Sequence, residues 1–371
     1  MPSLDVGWVA DDYIHRSFIQ DHLQTRNAKA PWWNVFDTRA SVFEQVAVGG
    51  LPWWTSPNLK VALFRPLATL SHYVDYLLWP NHPAWMHLHN VVLYVLIVLV
   101  ATELYFRLFG AQQRTALLAA LLYAADDAHA LGTAWIASRN TLLTTLFALG
   151  CFSLYVRGRV TGSRAARQLA PFSLLLAHAN SEGAIAIWAY LLAWSALLDP
   201  APPLARLRAL APLMLVSVAW LSLTALLGYG VSGSGAYLDP RTDPLGYLAA
   251  LPHRLASLLL SQFGVAEEPR LDWPAGLRHV HDVLVYMGLA LGVLALARVW
   301  RKQPLALFFA AGCFGALLPI CAVGPASRLL FISSFGAHAA IAMLLAAVPW
   351  SRAQRLRTRA ARGFGGLCAA A

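Results

Sequence analysis

An all-α, polytopic membrane fold follows from three features of this sequence. Hydrophobic residues make up 58% of the 371 and charged residues 12%, about half of the usual share in a soluble domain. Apolar runs long enough to cross a bilayer recur along most of the chain. Basic residues gather in alternate short loops between those runs. The net charge of +10 then reflects loop bias and does not argue for nucleic acid.

Taken in order, the runs predict about nine spans. They lie near 88–108, 114–135, 140–157, 168–179, 182–198, 209–228, 280–299, 304–323 and 328–349. The fourth run is short and adjoins the fifth through a break near Asn180. The stretch 247–263 is apolar, but Pro252, His253 and Arg254 interrupt it, so it reads as an interfacial or re-entrant helix. Three parts follow. Residues 1–87 form an outer-face segment with interfacial helices, 88–350 the helical membrane domain with an outer loop at 229–279, and 351–371 a basic tail.

Orientation comes from the arginines. One set of short loops and the tail holds Arg107 and Arg114, Arg157, Arg159, Arg164 and Arg167, Arg206 and Arg208, Arg298, Arg301 and Lys302. The tail adds Arg352, Arg355, Arg357, Arg359 and Arg362, which brings that side to sixteen of the 28 basic residues. The short loops on the opposite side hold Arg139 and Arg328. The tail is therefore expected in the cytoplasm, against anionic lipid, with 1–87 and 229–279 outside. No run before residue 87 has spanning length and no signal peptide is present, so a transmembrane helix is expected upstream of the acidic segment. Only Lys29, Lys60 and Lys302 are lysines, a bias toward arginine that points to a GC-rich bacterial genome and an inner membrane. Cys151, Cys313, Cys321 and Cys368 follow neither a metal-ligand nor a disulfide spacing.

Within the outer-facing parts, several residues carry chemistry. Asp11 and Asp12 form a carboxylate pair suited to positioning a metal or to general-base work. Asp126, Asp127 and His129 interrupt an apolar run, and ionisable groups at such depth face a cavity or the bundle interior. Glu182 stands at the junction of two runs. Arg139 and Arg328 begin spans, where snorkelling is the plain account of either one alone, yet together they place positive charge on the side of the acid pair. Seven of the 14 tryptophans precede residue 88, as in an aromatic belt along the outer leaflet. His72, His82, His87 and His89 lack a zinc spacing and read as interfacial packing.

The order of these blocks resembles the GT-C glycosyltransferase superfamily, closest to its protein O-mannosyltransferase-like branch that includes transmembrane proteins with TPR repeats. The carrying segments are ADDYIHRSFI, FRPLATLSHYVDYLL, HLHNVVLYVLIVLV, TAWIASRNTLLTTLFALGCFSLY, NSEGAIAIW and LLPICAVGPASRLLFISSFGAHAA, spread over residues 8–345. The resemblance implies an inverting transfer of sugar from a polyprenyl-phosphate-linked donor to a protein or glycan acceptor outside the membrane. It implies Asp12, with Asp11 beside it, as the catalytic carboxylate, and Arg65, Arg139 and Arg328 as donor-phosphate ligands, a role suited to guanidinium geometry. It leaves a divalent metal open, and it implies a first helix ahead of the acidic loop. The family's His-Pro-x-His-x-Glu run reads here as Asp126-Asp127-Ala128-His129-Ala130-Leu131, its Ser-Lys-Glu as Asn180-Ser181-Glu182, and its late Glu-Arg as Ser327-Arg328. No TPR repeats follow residue 350. The alternative from another class is a non-catalytic protein on the same scaffold, either a lipid-linked saccharide transporter or a partner subunit.

The orientation is open to a direct check. A reporter fused after residue 362 should behave as cytoplasmic and one inserted in 229–245 as external. The reverse pattern would invert the topology.

Overall fold

Proline sets many of the helix starts. Pro66, Pro83, Pro203 and Pro304 occupy the first helical turn, where the missing N–H costs nothing. The computed structural model describes residues 2–25, 33–37, 46, 53–262, 273–300 and 303–347. The basic tail 351–371, Arg301, Lys302 and Trp32 lie outside these residues.

The described residues form thirteen α-helices and one two-stranded ribbon. The helices are α1 (Asp11–Thr25), α2 (Pro66–Leu78), α3 (Pro83–Phe109), α4 (Gln113–Ala124), α5 (Ala128–Ala134), α6 (Arg139–Thr161) and α7 (Arg164–His178). They continue as α8 (Trp188–Leu197), α9 (Pro203–Leu226), α10 (Pro244–Gln262), α11 (Ala275–Trp300), α12 (Pro304–Ile320) and α13 (Phe331–Ala347). Strands β1 (Lys60–Ala62) and β2 (Gly230–Ser232) pair antiparallel, with Val61 opposite Val231. That ribbon joins the 1–87 segment to the 229–279 loop, a pairing no local pattern announces.

Three helical stretches are long and apolar enough to cross a membrane: Pro83–Phe109, Ile136–Thr161 and Pro203–Leu226. Glu182–Leu197, Pro304–Ile320 and Phe331–Ala347 are apolar but shorter. The described structure thus supports a helical class with three candidate spans, a coarser result than the nine expected. Two expected spans are broken for visible reasons. The run 114–135 stops after Ala124, where the Asp126 carboxylate accepts the Ala128 N–H at 3.0 Å and begins a new short helix. Short acidic side chains compete in this way with the helical ladder. The run 182–198 opens as a tighter 3₁₀ turn, Glu182–Ile187, whose start Ser181 caps by accepting the Gly183 N–H at 3.1 Å.

The interior is aromatic. Tyr105 stacks on Phe335 with ring centroids 4.6 Å apart, and its hydroxyl donates to the Phe335 carbonyl at 2.7 Å. Tyr123 donates to the Phe331 carbonyl at 3.0 Å and Tyr190 to the Ser333 carbonyl at 3.2 Å. Three helices therefore hold the first turns of α13 through buried phenols, whose rings supply area and whose hydroxyls find backbone partners. Gly336 permits this approach, since a Cβ there would lie 2.4 Å from the Phe309 carbonyl oxygen and 2.7 Å from the Tyr190 hydroxyl.

A buried cation joins the other half of the bundle. Arg139, at the start of α6, pairs with Asp75 of α2 at 2.5 Å, with both side chains about fully enclosed. Its Nε donates to Asn90 Oδ1 at 2.8 Å and its Nη2 to the Met86 carbonyl at 2.9 Å, both on α3. Asn90 in turn donates to the carbonyls of Thr133 and Trp135 at 3.2 and 3.1 Å. The other oxygen of Asp75 meets His89 Nδ1 at 2.6 Å.

Removing one member of this pair strands the other charge, so Asp75→Ala should lower stability by about 3–5 kcal/mol in detergent unfolding. Glu103→Ala, which breaks the partly exposed Glu103–Arg107 contact one turn apart on α3, should cost under about 1 kcal/mol. Equal effects would mean that burial does not set the value of the pair.

Candidate functional site

α1 presents a stripe of Asp11, Ile14, His15 and Phe18 to a cavity of about 590 Å³. The spacing of three and four residues puts these side chains on one helix face. The β-ribbon contributes Val61 and Val231, the turn into α6 contributes Trp135 and Ser138, and the first turn of α6 contributes Asn140 and Thr141. Ser181 and Glu182 lie on another side, and Asp239, Arg241, Arg328 and Leu329 on the remaining one. Most of the other lining residues are apolar, among them Leu63, Leu221, Ile320 and Ile332.

The two aspartates of the acidic pair have separate fates. Asp12 is 1% exposed, and both its oxygens are taken by backbone amides, Val9 at 2.9 Å and Ala137 at 2.6 Å. Burial raises its pKa against the pull of those two hydrogen bonds. It closes the turn ahead of α1 and binds that turn to the one ahead of α6, and it does not line the cavity. Asp11 is exposed and does line it. The catalytic assignment expected for Asp12 therefore meets a carboxylate with no open approach, while its neighbour has one.

The arginines divide in a similar way. Arg139, expected at the donor phosphate, is 2% exposed and committed to Asp75, Asn90 and the Met86 carbonyl, behind the cavity wall rather than in it. Arg65 lines the cavity but forms a forked pair with Glu182, Nε to Oε2 at 3.2 Å and Nη2 to Oε1 at 2.5 Å. Arg241 is likewise held by Asp239 at 2.6 Å, which keeps that carboxyl below its ordinary range. Arg328 differs. Its guanidinium lies over the Trp135 ring, 5.0 Å from the centroid, and it has no carboxylate partner among the described residues. Trp135 itself donates from Nε1 to the Val9 carbonyl at 3.2 Å, which places the arginine's platform beside the turn that carries Asp11.

Asp126, Asp127 and His129 are absent from this lining. Asp126 accepts from Ser334 at 2.9 Å and lies 3.5 Å from His129 and 3.6 Å from His338, in a separate buried polar group between α5 and α13. Asp127 is exposed at the start of α5. Among the described residues no group of three or more His, Cys, Asp or Glu side chains is disposed to hold a metal ion.

Two contributors were not visible in the sequence. Arg254, which reads there as an interruption of an apolar run, donates to the carbonyls of Cys321 and Ala236, each at 2.9 Å, and so anchors both loops that flank the cavity. His15 stands in the stripe beside Asp11; it falls within the segment ADDYIHRSFI, but nothing there singles it out. No family model, curated protein or solved structure matches this chain.

Asp12→Ala should lower stability by about 1–3 kcal/mol, because it orphans two buried amides, whereas Asp11→Asn should leave the melting temperature unchanged. Thermal unfolding of the two variants in one detergent checks this contrast. A stability loss confined to Asp11→Asn would exchange the two roles.

Proposed function

We propose that this chain is an inverting glycosyltransferase of GT-C type, which moves a sugar from a polyprenyl-phosphate-linked donor to a protein or glycan acceptor. The observation that carries the reading is the pairing of an accessible carboxylate, Asp11, with an uncommitted, tryptophan-stacked arginine, Arg328, in one largely apolar cavity. The apolar lining suits a prenyl chain, and the polar groups suit the phosphate and sugar. The resemblance of the ordered sequence blocks to that superfamily supports the same reading.

In the proposed step the acceptor hydroxyl attacks the anomeric carbon while Asp11 takes its proton. The bond from that carbon to the phosphate oxygen breaks, and its electron pair leaves on the polyprenyl phosphate. Arg328 stabilises that charge through charge-assisted hydrogen bonds. Arg65 becomes a second phosphate ligand when the anion displaces Glu182 from it. Arg139 acts at one remove, holding the Trp135 turn through Asn90. On this reading the helices cross a bacterial inner membrane about nine times, and the cavity opens toward the outer leaflet.

Asp11→Asn keeps size but removes basicity. Transfer in membranes supplied with lipid-linked donor should slow by roughly two to four orders of magnitude, with donor affinity unchanged. Arg328→Ala should weaken donor binding by about ten- to a hundredfold. Full transfer by Asp11→Asn would remove Asp11 as the base, whereas no transfer by the folded, lipid-binding wild-type protein would sink the enzyme and favour a saccharide transporter or partner subunit on the same scaffold.

A further inference from the structure

We propose that His15 binds a hydroxyl group of the transferred sugar and so sets the preference for the sugar-bearing lipid. This assignment rests on the glycosyl-transfer reading for the identity of the ligand, and on the cavity for its geometry.

Position comes first. His15 is 7% exposed and lines the cavity one helical turn after Asp11, on the same face of α1. Its ring packs edge-on against Phe36 at 4.6 Å, and the Arg65 guanidinium lies over that same Phe36 ring at 5.1 Å. The imidazole thus neighbours both the carboxylate assigned to the acceptor proton, one helical turn away, and a cation assigned to the phosphate, across Phe36. In a single displacement, the part of the substrate that lies between those two groups is the sugar.

Unused hydrogen-bonding capacity is the second observation. His15 Nδ1 is buried without a partner, and Nε2 makes no hydrogen bond to the described residues. Buried polar groups are ordinarily satisfied; Nδ1 is enclosed, so Nε2 is the nitrogen that this cavity-lining side chain leaves to a ligand. Its neighbour His72, 5.3 Å away by ring centroids, also lacks partners but does not line the cavity, and so offers nothing to a substrate. Chemistry supports the choice of a neutral hydroxyl. Burial, with Arg65 nearby, lowers the pKa of His15 to about 3, and its ring is neutral across the physiological range. A neutral imidazole neither pairs with a phosphate nor competes with Asp11 as a base, but it donates or accepts a hydrogen bond to a sugar hydroxyl. His15 takes no part in the bonds made and broken at the anomeric carbon.

The test uses the full chain in lipid nanodiscs and measures binding of polyprenyl-phosphate mannose, polyprenyl-phosphate glucose and bare polyprenyl phosphate. The wild-type protein should bind at least one sugar-bearing lipid about ten- to a hundredfold more tightly than the bare lipid. His15→Phe should abolish that preference while leaving affinity for the bare lipid intact, which also shows that the variant is folded. His15→Gln, which keeps a hydrogen-bonding head, should retain part of it. Arg328→Ala should weaken all three lipids alike. An unchanged preference in His15→Phe, or no preference in the wild type, overturns the assignment. Transfer measured in parallel separates the two claims, since a His15-dependent preference without any transfer removes the enzyme reading and leaves the sugar contact standing.

Discussion

The buried Arg139–Asp75 pair is the constraint on which the cavity depends. An ion pair taken out of water costs more in desolvation than simple attraction returns unless every remaining donor is also satisfied. Here the guanidinium reaches Asp75, Asn90 and the Met86 carbonyl, and the second Asp75 oxygen is held by His89. The result joins α2, α3 and α6 at one point. Because Asn90 also holds the carbonyls of Thr133 and Trp135, the same point fixes the turn that forms one cavity wall. Asp12 then locks the start of α1 to that turn through the Ala137 amide. The chain from buried pair to cavity-facing stripe is continuous.

Burial, rather than residue type, sorts the charged groups into supports and ligand-facing groups. Asp12 and Arg139 are saturated by internal partners, and a saturated buried charge has nothing left to offer a substrate. Asp11 and Arg328 face the cavity, and the second is held by a ring rather than by an acid. A cation on an aromatic face stays oriented while keeping its N–H groups for an anion. Arg65 lies between these cases, since Glu182 occupies it in a forked geometry that a phosphate would also satisfy.

A second polar group supports the opposite flank. Gln262 of α10 donates to Ser334, Ser334 donates to Asp126, and Ser333 donates to Gln262, at 2.8, 2.9 and 2.9 Å. Together with the three tyrosine hydroxyls this ties α13 to α10 and to the α4–α5 break. His129 stacks on Phe331 with ring centroids 4.2 Å apart, which makes it part of the same support. The break at Asp126 thus has a packing role that accounts for an acid amid apolar residues, without any access to the cavity.

By itself the sequence determined the helical class, the helix starts that proline marks, and a short set of residues from which the site is drawn. These are local properties: apolar content, proline placement and ionisable groups in apolar surroundings each act within a few residues of chain. Asp11, Glu182 and Arg328 were legible as candidates for that reason, and Arg65 only through the resemblance carried by FRPLATLSHYVDYLL. Tertiary structure decided which of the candidates face the cavity. Asp11 and Asp12 are adjacent and chemically identical, and the packing of α1 against the turn ahead of α6 sends one side chain to the cavity and the other to two amides. The ribbon between Val61 and Val231, the anchoring by Arg254 and the placement of His15 likewise depend on contacts between segments distant in sequence. No local pattern encodes such contacts, because the partner that gives each residue its role is brought to it only by folding.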